Sequence, residues 1–286
     1  MNVPVDDEHA LHPLTERFYP ESRFGGFSHR DCTVEFFTRI SALLKPTDCV
    51  LDFGAGRGSG STDDPCRFRR DLQTLQGRCS ELVGCDIDPA VFENPHLDKA
   101  VVLEPGKALP FADGTFDLIF CSYVFEHVAD PAFVSGELLR ILKPGGYLCA
   151  LTPNKWGYVA LVAALVSNRL HRRVLHKVQP ARADHDVFPT VYAMNTPRAI
   201  RRYFSAQSDV VAYPFTPEPA YHLGSPLLYR LLRLVHKHLP DKLATNLFVF
   251  AKKKWRSLKR DQSRAMNRVF STHCSSTKPF AGSSAA

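Results

Sequence analysis

Short apolar runs alternate with amphipathic stretches through the first half of the chain. The apolar runs predict buried strands over residues 48–53, 80–86, 100–103, 116–123 and 147–151. Apolar residues at helical spacing predict helices over 34–44, 66–76 and 131–142. This alternation predicts a parallel sheet that is covered by helices on both faces.

The second half has a different pattern, in which basic residues border the apolar ones. The stretches 156–177 and 227–239 combine apolar positions with several Arg, Lys and His residues and predict basic amphipathic helices. Runs over 210–215 and 246–251 predict two more strands. Residues 261–286 are rich in Ser and Ala and poor in large apolar side chains, which predicts a disordered tail.

The most informative stretch is Val50–Gly58, where an apolar run and Asp52 lead into glycines at positions 54, 56 and 58. Without a Cβ at these positions, a ligand can approach the main chain closely. The next predicted strand ends at a second acid, Asp86. A glycine turn after one strand and a carboxylate after the next predict a nucleoside site in an open α/β sheet.

The spacing of these glycines narrows the choice of nucleoside. A dinucleotide site needs a third glycine where this chain has Ser59. The pattern D-x-G-x-G-x-G instead resembles the first motif of the class I S-adenosylmethionine (SAM)-dependent methyltransferases. Four more blocks follow in the order of that family, at 109–111, 115–119, 126–128 and 142–146. The chain looks most like the type 11 members, which modify quinones, sugars and natural products.

The resemblance implies a fold and a domain plan. We expect a Rossmann-like, doubly wound α/β sheet of seven strands, mostly parallel with one antiparallel strand, plus a helical cap in the C-terminal half. Residues 1–30 would form an N-terminal strap, in which Tyr19 and Arg23 either contact the cofactor or pack on the sheet. Residues 31–260 would form the methyltransferase domain, with a SAM-binding half up to 154, and residues 261–286 the tail.

The resemblance also assigns residues to the cofactor. Asp52 would lie near the methionine amino group of SAM, in a turn lined by Gly54, Ala55, Gly56 and Gly58. Asp86 would accept hydrogen bonds from both ribose hydroxyls, and Ile87 would pack on the adenine. The alternative for Asp86 is to cap the next helix, although Asp88, directly before a proline, is the better cap.

On the adenine side the chain departs from the family pattern. Relatives often carry an Asp where this chain has Pro105. Either Glu104 takes its place, or backbone groups of Ala108 and Leu109 contact the adenine.

Candidate catalytic residues follow predicted strand four, at the sheet edge where open α/β folds bind ligands. An imidazole titrates near neutral pH and can deprotonate a hydroxyl or phenol, which makes His127, with its neighbour Glu126, a candidate base. The alternative is that His127 packs beside the cofactor or bonds to backbone. His185, in the loop 183–189, is the third candidate, and an ordinary polar loop is the alternative there.

The class of acceptor is narrowed by the absence of one family motif after predicted strand four. Methyltransferases of exocyclic base amines share an Asn/Asp-Pro-Pro-aromatic motif there, whereas this chain has Cys121–Val124 without a proline pair. The resemblance therefore favours O-methylation of a small molecule, with no metal.

The eight cysteines contain no C-x-x-C pair, which predicts reduced, buried thiols in a cytoplasmic protein. A binding protein that has lost catalysis is the non-enzymatic alternative.

Charge is distributed unevenly along the chain. Residues 1–154 contain 14 Lys and Arg against 23 Asp and Glu, whereas residues 155–260 contain 19 against 5. The basic half predicts an anionic partner, and we favour the inner face of an anionic membrane over nucleic acid. The alternative is that the basic helices pack on the sheet or form a homodimer interface. The sequence contains no run of about 18 apolar residues and therefore predicts no membrane-spanning helix.

Overall fold

The computed structural model describes residues 13–158, 160, 189–219 and 222–255. Its strands form one seven-stranded sheet in the order β3-β2-β1-β4-β5-β7-β6. The strands are β1 Cys49–Phe53, β2 Glu81–Asp86, β3 Lys99–Val102, β4 Phe116–Ser122, β5 Leu142–Pro153, β6 Ser208–Phe215 and β7 Asn246–Lys253. The described residues up to Lys254 fold as one compact unit.

The direction of the strands confirms the predicted fold class. Neighbouring strands from β3 to β5 pair in parallel, and β7 runs antiparallel to both β5 and β6. Strand β5 is longer than the predicted 147–151, because Leu142 already pairs with Phe116. The register shifts between Phe116 and Leu118, so the strand continues through a bulge that reads as a turn in the sequence.

Helices cover both faces of this sheet. They are α1 Pro13–Phe18, α2 Cys32–Leu43, α3 Ser59–Thr62, α4 Arg67–Gln73, α5 Pro131–Ile141, α6 Pro197–Phe204 and α7 Pro226–His238. Short 3₁₀ turns lie at Pro20–Arg23, Pro89–Glu93, Phe125–His127 and Asp241–Leu243. Helix α2 packs Phe36 and Ile40 against one face, and α5 packs Leu138 against the other. The sheet is therefore doubly wound, as the pattern predicts.

The cysteines in the described residues are free, and four of them lie on strands of the sheet, where Cys49 at the start of β1 is partly exposed and the other three are buried. Cys85, Cys121 and Cys149 are buried on β2, β4 and β5. Burial raises the pKa of all three thiols well above the ordinary value, because the interior disfavours the thiolate. These cysteines therefore act as small apolar core residues, as predicted.

The connection between β6 and β7 lies at the carboxyl edge of the sheet, which is the edge where the parallel strands end. Pro153 at the end of β5 and Phe215 at the end of β6 pair with Asn246, the first residue of β7. The chain thus leaves β6 and enters β7 at this edge, and α7 lies in between. After β5 the chain also makes an excursion that is closed by a bond from Lys155 N to Asn195 O, at 2.9 Å.

The N-terminal strap packs against α7. Phe18 stacks on Tyr229 with ring centres 4.8 Å apart, and the guanidinium of Arg233 lies 5.0 Å from the ring centre of Tyr19. Tyr19 is buried in this cluster, whereas Arg23 is exposed. The described part of the strap thus serves as a packing element.

Some predictions fall on residues outside the described ranges. These are most of the predicted helix 156–177, the tail 261–286 and His185. The predicted helix 227–239 is described and confirmed, as α7. Within the described ranges, every helix is too short or too polar to cross a bilayer.

Candidate active site

The glycine turn after β1 is fixed by backbone bonds to the end of β2. Gly54 N and Ala55 N both donate to Cys85 O, at 2.8 and 3.1 Å. Gly54 has φ of +83°, and a Cβ there would collide with the side chain of Val124. A side chain is thus excluded both by the backbone conformation and by the close approach of the segment after β4.

Asp86 lies directly beside this turn, as predicted. Its Oδ2 accepts from Gly56 N and its Oδ1 accepts from Asp88 N, both at 2.9 Å. A carboxylate has about four lone-pair sites, so about two remain for further donors. Asp88 caps the turn that follows by accepting from Ala90 N, which leaves Asp86 available for a ligand with two hydroxyls. Ile87 is 49% exposed next to it, a surface on which a flat ring can pack.

Asp52, at the end of β1, is an acid in an unfavourable environment. Burial, with repulsion from Asp86 in addition, raises the pKa of Asp52 to about 7. A cationic group bound between the two strand ends would remove this penalty. The pair of carboxylates therefore fits a ligand that carries both an ammonium group and a ribose.

Asn94 is a site residue that the sequence analysis missed. Its Nδ2 donates to Ala55 O and Gly56 O, each at 3.3 Å, so it holds the turn from outside. A Cβ on Gly58 would come within 2.5 Å of Asn94 Oδ1. The available signal was Asn94-Pro95, which is typical of a turn, but nothing local indicates that this turn contacts residues 55–58.

The loop after the glycines is tied to the strap by Arg69. Its guanidinium donates to Asp64 at 2.7 and 2.8 Å, to Asp31 at 2.9 Å and to Gly26 O at 3.3 Å. These acids raise the pKa of Arg69 and keep it charged. The strap therefore contributes to the support of the donor side, although through residue 69 and not through Tyr19.

On the adenine side, two of the candidate residues already have bonding partners. Leu109 N donates to Glu137 Oε2 at 2.7 Å, and Leu109 O accepts from Arg140 Nη2 at 2.9 Å. The backbone groups of Leu109 are thus already bonded to α5, and their contact with the adenine stays a prediction. Glu104 is exposed and forms an ion pair with Lys107. A contact of Ala108 with the adenine stays a prediction.

Glu126 is the buried acid of the other side of the site. Its Oε2 accepts from Thr152 Oγ1 at 3.0 Å, and Thr152 Oγ1 in turn accepts from Asn195 Nδ2 at 2.6 Å. Its backbone oxygen accepts from Val191 N and Tyr192 N, at 2.7 and 3.1 Å. The segment 189–196 therefore lies across the end of β4, a placement that no local pattern in the sequence indicates.

His127 has a defined tautomer. Its Nδ1 lies 3.0 Å from Pro189 O, and because a carbonyl only accepts, Nδ1 carries the proton. In the neutral ring the lone pair is then on Nε2, which lies 3.9 Å from Glu126 Oε1. This is the tautomer that a general base with Nε2 as its reactive atom requires.

Tyr123 is a second residue that the sequence analysis did not single out. It follows β4 with a left-handed backbone, φ +58°, which a residue with a side chain seldom adopts. Its hydroxyl accepts from Asn246 Nδ2 at 3.3 Å and lies 3.8 Å from Cys32 Sγ. Burial of the phenol oxygen raises the pKa of Tyr123 well above its usual value, so this hydroxyl keeps its proton.

Residues 51–150 match the family model described as a methyltransferase domain. An uncharacterized methyltransferase of Schizosaccharomyces pombe is 30% identical over 118 residues, which are 39% of this chain and 42% of that protein. One from Mycolicibacterium gilvum is 49% identical over 115 residues, 37% of this chain and 39% of that protein. A demethylmenaquinone methyltransferase of Beutenbergia cavernae is 31% identical over 107 residues, 36% and 40% of the two chains.

The chain thus spans about two fifths of the length of the relatives it matches. Among solved structures, a SAM-dependent methyltransferase from Archaeoglobus fulgidus aligns over 83% of this chain and 99% of its own. The TM-score is 0.49 and the sequence identity 17%.

Proposed function

We propose that this chain, whose residues 51–150 match a methyltransferase domain, is a class I SAM-dependent methyltransferase and transfers a methyl group from SAM, the predicted cofactor, to a small acceptor. The observation that carries the proposal is the pair of carboxylates, Asp52 and Asp86, beside a glycine turn at the carboxyl edge of the sheet. His127 lies after β4 at the same edge.

The donor side is proposed to bind SAM through three groups. Asp86 accepts from the two ribose hydroxyls with the lone pairs that Gly56 and Asp88 leave over. Asp52 pairs with the methionine ammonium, because a cation there restores its ordinary ionisation. The exposed side chain of Ile87 packs on the adenine ring.

The acceptor side is proposed to remove a proton. SAM supplies a methyl group on a positively charged sulfur, which is already activated for displacement, so the chain has mainly to align the acceptor and deprotonate it. His127 Nε2 receives the proton of an acceptor hydroxyl, while Nδ1 stays bonded to Pro189 O. Glu126 stabilises the imidazolium that results.

The acceptor is proposed to be a hydroxylated, amphiphilic ring that is methylated at oxygen. The similarity to demethylmenaquinone methyltransferases, at 31% identity over 107 and 112 residues, supports a quinol-like compound. The absence of a proline pair at Cys121–Val124 supports an acceptor other than a base amine. A phenol that has lost its proton to His127 is an adequate nucleophile for this reaction.

The experiment that tests the function is incubation of the protein with labelled SAM and a small-molecule extract, followed by mass identification of the labelled product. We expect a new methyl ether, and a loss of product with His127→Ala of about 10²-fold or more while SAM binding is retained. A product that keeps its free hydroxyl would contradict attack by oxygen. Label in RNA, or SAM binding without any product, would favour the nucleic-acid or the non-catalytic alternative.

A further inference from the structure

Helix α7 has one buried face and one exposed apolar face. Tyr229 and His236 are buried, and His236 Nε2 lies 2.7 Å from the hydroxyl of Tyr158. The opposite side carries three leucines at 227, 231 and 234, which are 78, 55 and 56% exposed. Because residues three and four apart share a helix face, these leucines form one apolar stripe on the surface.

Basic side chains lie along one border of this stripe. Arg230, Arg233 and Lys237 follow each other at helical spacing and are exposed, and α7 contains no acidic residue. The guanidinium groups of Arg230 and Arg233 lie 5.8 and 5.3 Å from the ring centre of Phe18. The two guanidinium groups thus pack over an aromatic ring of the strap at the border of the stripe.

The position of α7 in the fold places this surface at the same edge of the sheet as the candidate site. The helix lies in the β6–β7 connection, at the edge of the sheet that also carries Asp86 and His127. Trp156, 52% exposed, follows β5 at this edge, two residues before the tyrosine that bonds to His236. Tryptophan is enriched where proteins meet the boundary between lipid and water.

We propose that α7 binds the surface of an anionic bilayer. The leucine stripe enters the boundary between headgroups and acyl chains, and Arg230, Arg233 and Lys237 contact the lipid phosphates. Apolar and basic residues side by side match a bilayer, because its acyl chains are apolar and its headgroups are negatively charged. A neutral protein groove does not offer this combination. The open edge of the sheet then faces the membrane, where an amphiphilic acceptor accumulates. This surface goes beyond methyl transfer and is testable without it.

The test is flotation of the full chain with vesicles of phosphatidylcholine, with and without phosphatidylglycerol. We expect retention on the anionic vesicles that weakens at high salt, and a loss of about tenfold or more in the variant L227S/L231S/L234S. The control is Val211→Ser, which removes a 60% exposed apolar side chain from edge strand β6 and should leave retention unchanged. Because all four side chains are exposed, the variants should keep the wild-type circular dichroism and SAM affinity.

Three results would overturn the proposal. The first is a wild-type chain that does not float with anionic vesicles, and the second is a leucine variant that floats as well as the wild type. The third is a wild-type dimer that the leucine variant converts to a monomer without any vesicle binding, which would assign the stripe to a second copy. SAM affinity, measured in parallel by calorimetry, reports on the proposed function separately, so the two failures are distinguishable.

Discussion

On the donor side of the site, backbone bonds between the ends of β1 and β2 fix the groups that we assign to SAM. On the acceptor side, side chains from distant segments hold Glu126 and His127. Gly54 and Asp86 are bonded to residues next to them in the sheet. Glu126 instead depends on Thr152 and Asn195, which lie 26 and 69 positions further along the chain.

This difference indicates that the donor side is the constant part of the site and that the acceptor side is the part that can change. Glycine turns and strand ends give the donor side a geometry that is independent of most side chains. The acceptor side is a network of buried polar groups, in which each member needs all its partners. A change in the segment 189–196 therefore alters the acceptor side and leaves the donor side intact.

The largest effect is expected on the donor side, from Asp86→Ala. The substitution removes two ribose contacts and the bond to Gly56 N, and hydrogen bonds to a charged group contribute about 1.5–3 kcal/mol each. SAM affinity should fall about 100-fold or more by calorimetry. Asp71→Ala, an exposed acid on α4, is the control and should bind SAM normally. If Asp86→Ala binds as tightly as the wild type, the ribose lies elsewhere.

The rigidity of the donor turn can be tested with a pair of glycines. Gly54 and Gly77 both have positive φ, but only at Gly54 would a Cβ meet a side chain, that of Val124. We expect Gly54→Ala to lower the free energy of unfolding by about 3 kcal/mol and Gly77→Ala by about 1 kcal/mol. Urea unfolding measures both. Equal losses would show that the turn yields to the added methyl group.

The acceptor network is tested by Thr152→Val. The variant removes the bond that Glu126 accepts from Thr152 and one of the two bonds that Asn195 Nδ2 donates, which should cost about 2 kcal/mol in the free energy of unfolding. Product formation should fall while SAM affinity is unchanged, if the two sides are independent. Thr152→Ser keeps the hydroxyl and is the control for both measurements. A loss of SAM affinity in Thr152→Val would break the proposed separation.

The substitution Asp52→Asn should change stability and SAM binding in opposite directions. The pKa of Asp52 is raised from 3.8 to about 7 in the folded chain, so its ionisation lowers the free energy of unfolding as pH rises between these values. Asparagine does not ionise, so the variant should be more stable than the wild type above pH 7, by up to about 4 kcal/mol for a shift of this size, and equal to it near pH 4.

The same substitution should weaken SAM binding, because the methionine ammonium loses its partner. Urea unfolding at the two pH values and calorimetry with SAM measure the two effects. A variant that is no more stable at high pH would show that Asp52 is better solvated than its environment indicates. Unchanged SAM affinity would remove Asp52 from the cofactor site.

The sequence predicts most of the fold because the position of each strand depends mainly on the residues within that strand. The buried runs of β1, β2 and β4 were placed within one or two residues, since parallel strands that are covered on both faces are apolar throughout. The early start of β5 was missed, because the bulge that carries Leu142–Gly146 consists of residues that elsewhere form a turn. Asp86 is predicted to lie beside the glycine turn because the carboxyl ends of neighbouring parallel strands meet at one edge of the sheet.

Asn94, Thr152 and Asn195 were missed for the opposite reason. Each is polar, lies in a segment that is unremarkable by itself, and acts on a residue far away in the chain. Tyr123 differs, since it lies within the stretch that we examined for the proline pair, but its left-handed backbone cannot be deduced from the residues around it. Long-range polar contacts thus mark the limit of what one sequence predicts.

The bond between Lys155 N and Asn195 O turns the chain between them into an exchangeable module. Further bonds hold the two ends of this stretch: they join Tyr158 to His236, and Pro189, Val191 and Tyr192 to His127 and Glu126. Between those ends the entropy of closing a loop grows slowly with the number of residues, so we expect the sheet to tolerate insertions and deletions there. A chimera that carries the corresponding stretch of a relative should still bind the same methyl donor but accept a different acceptor, so exchange of this stretch is a way to change acceptor specificity.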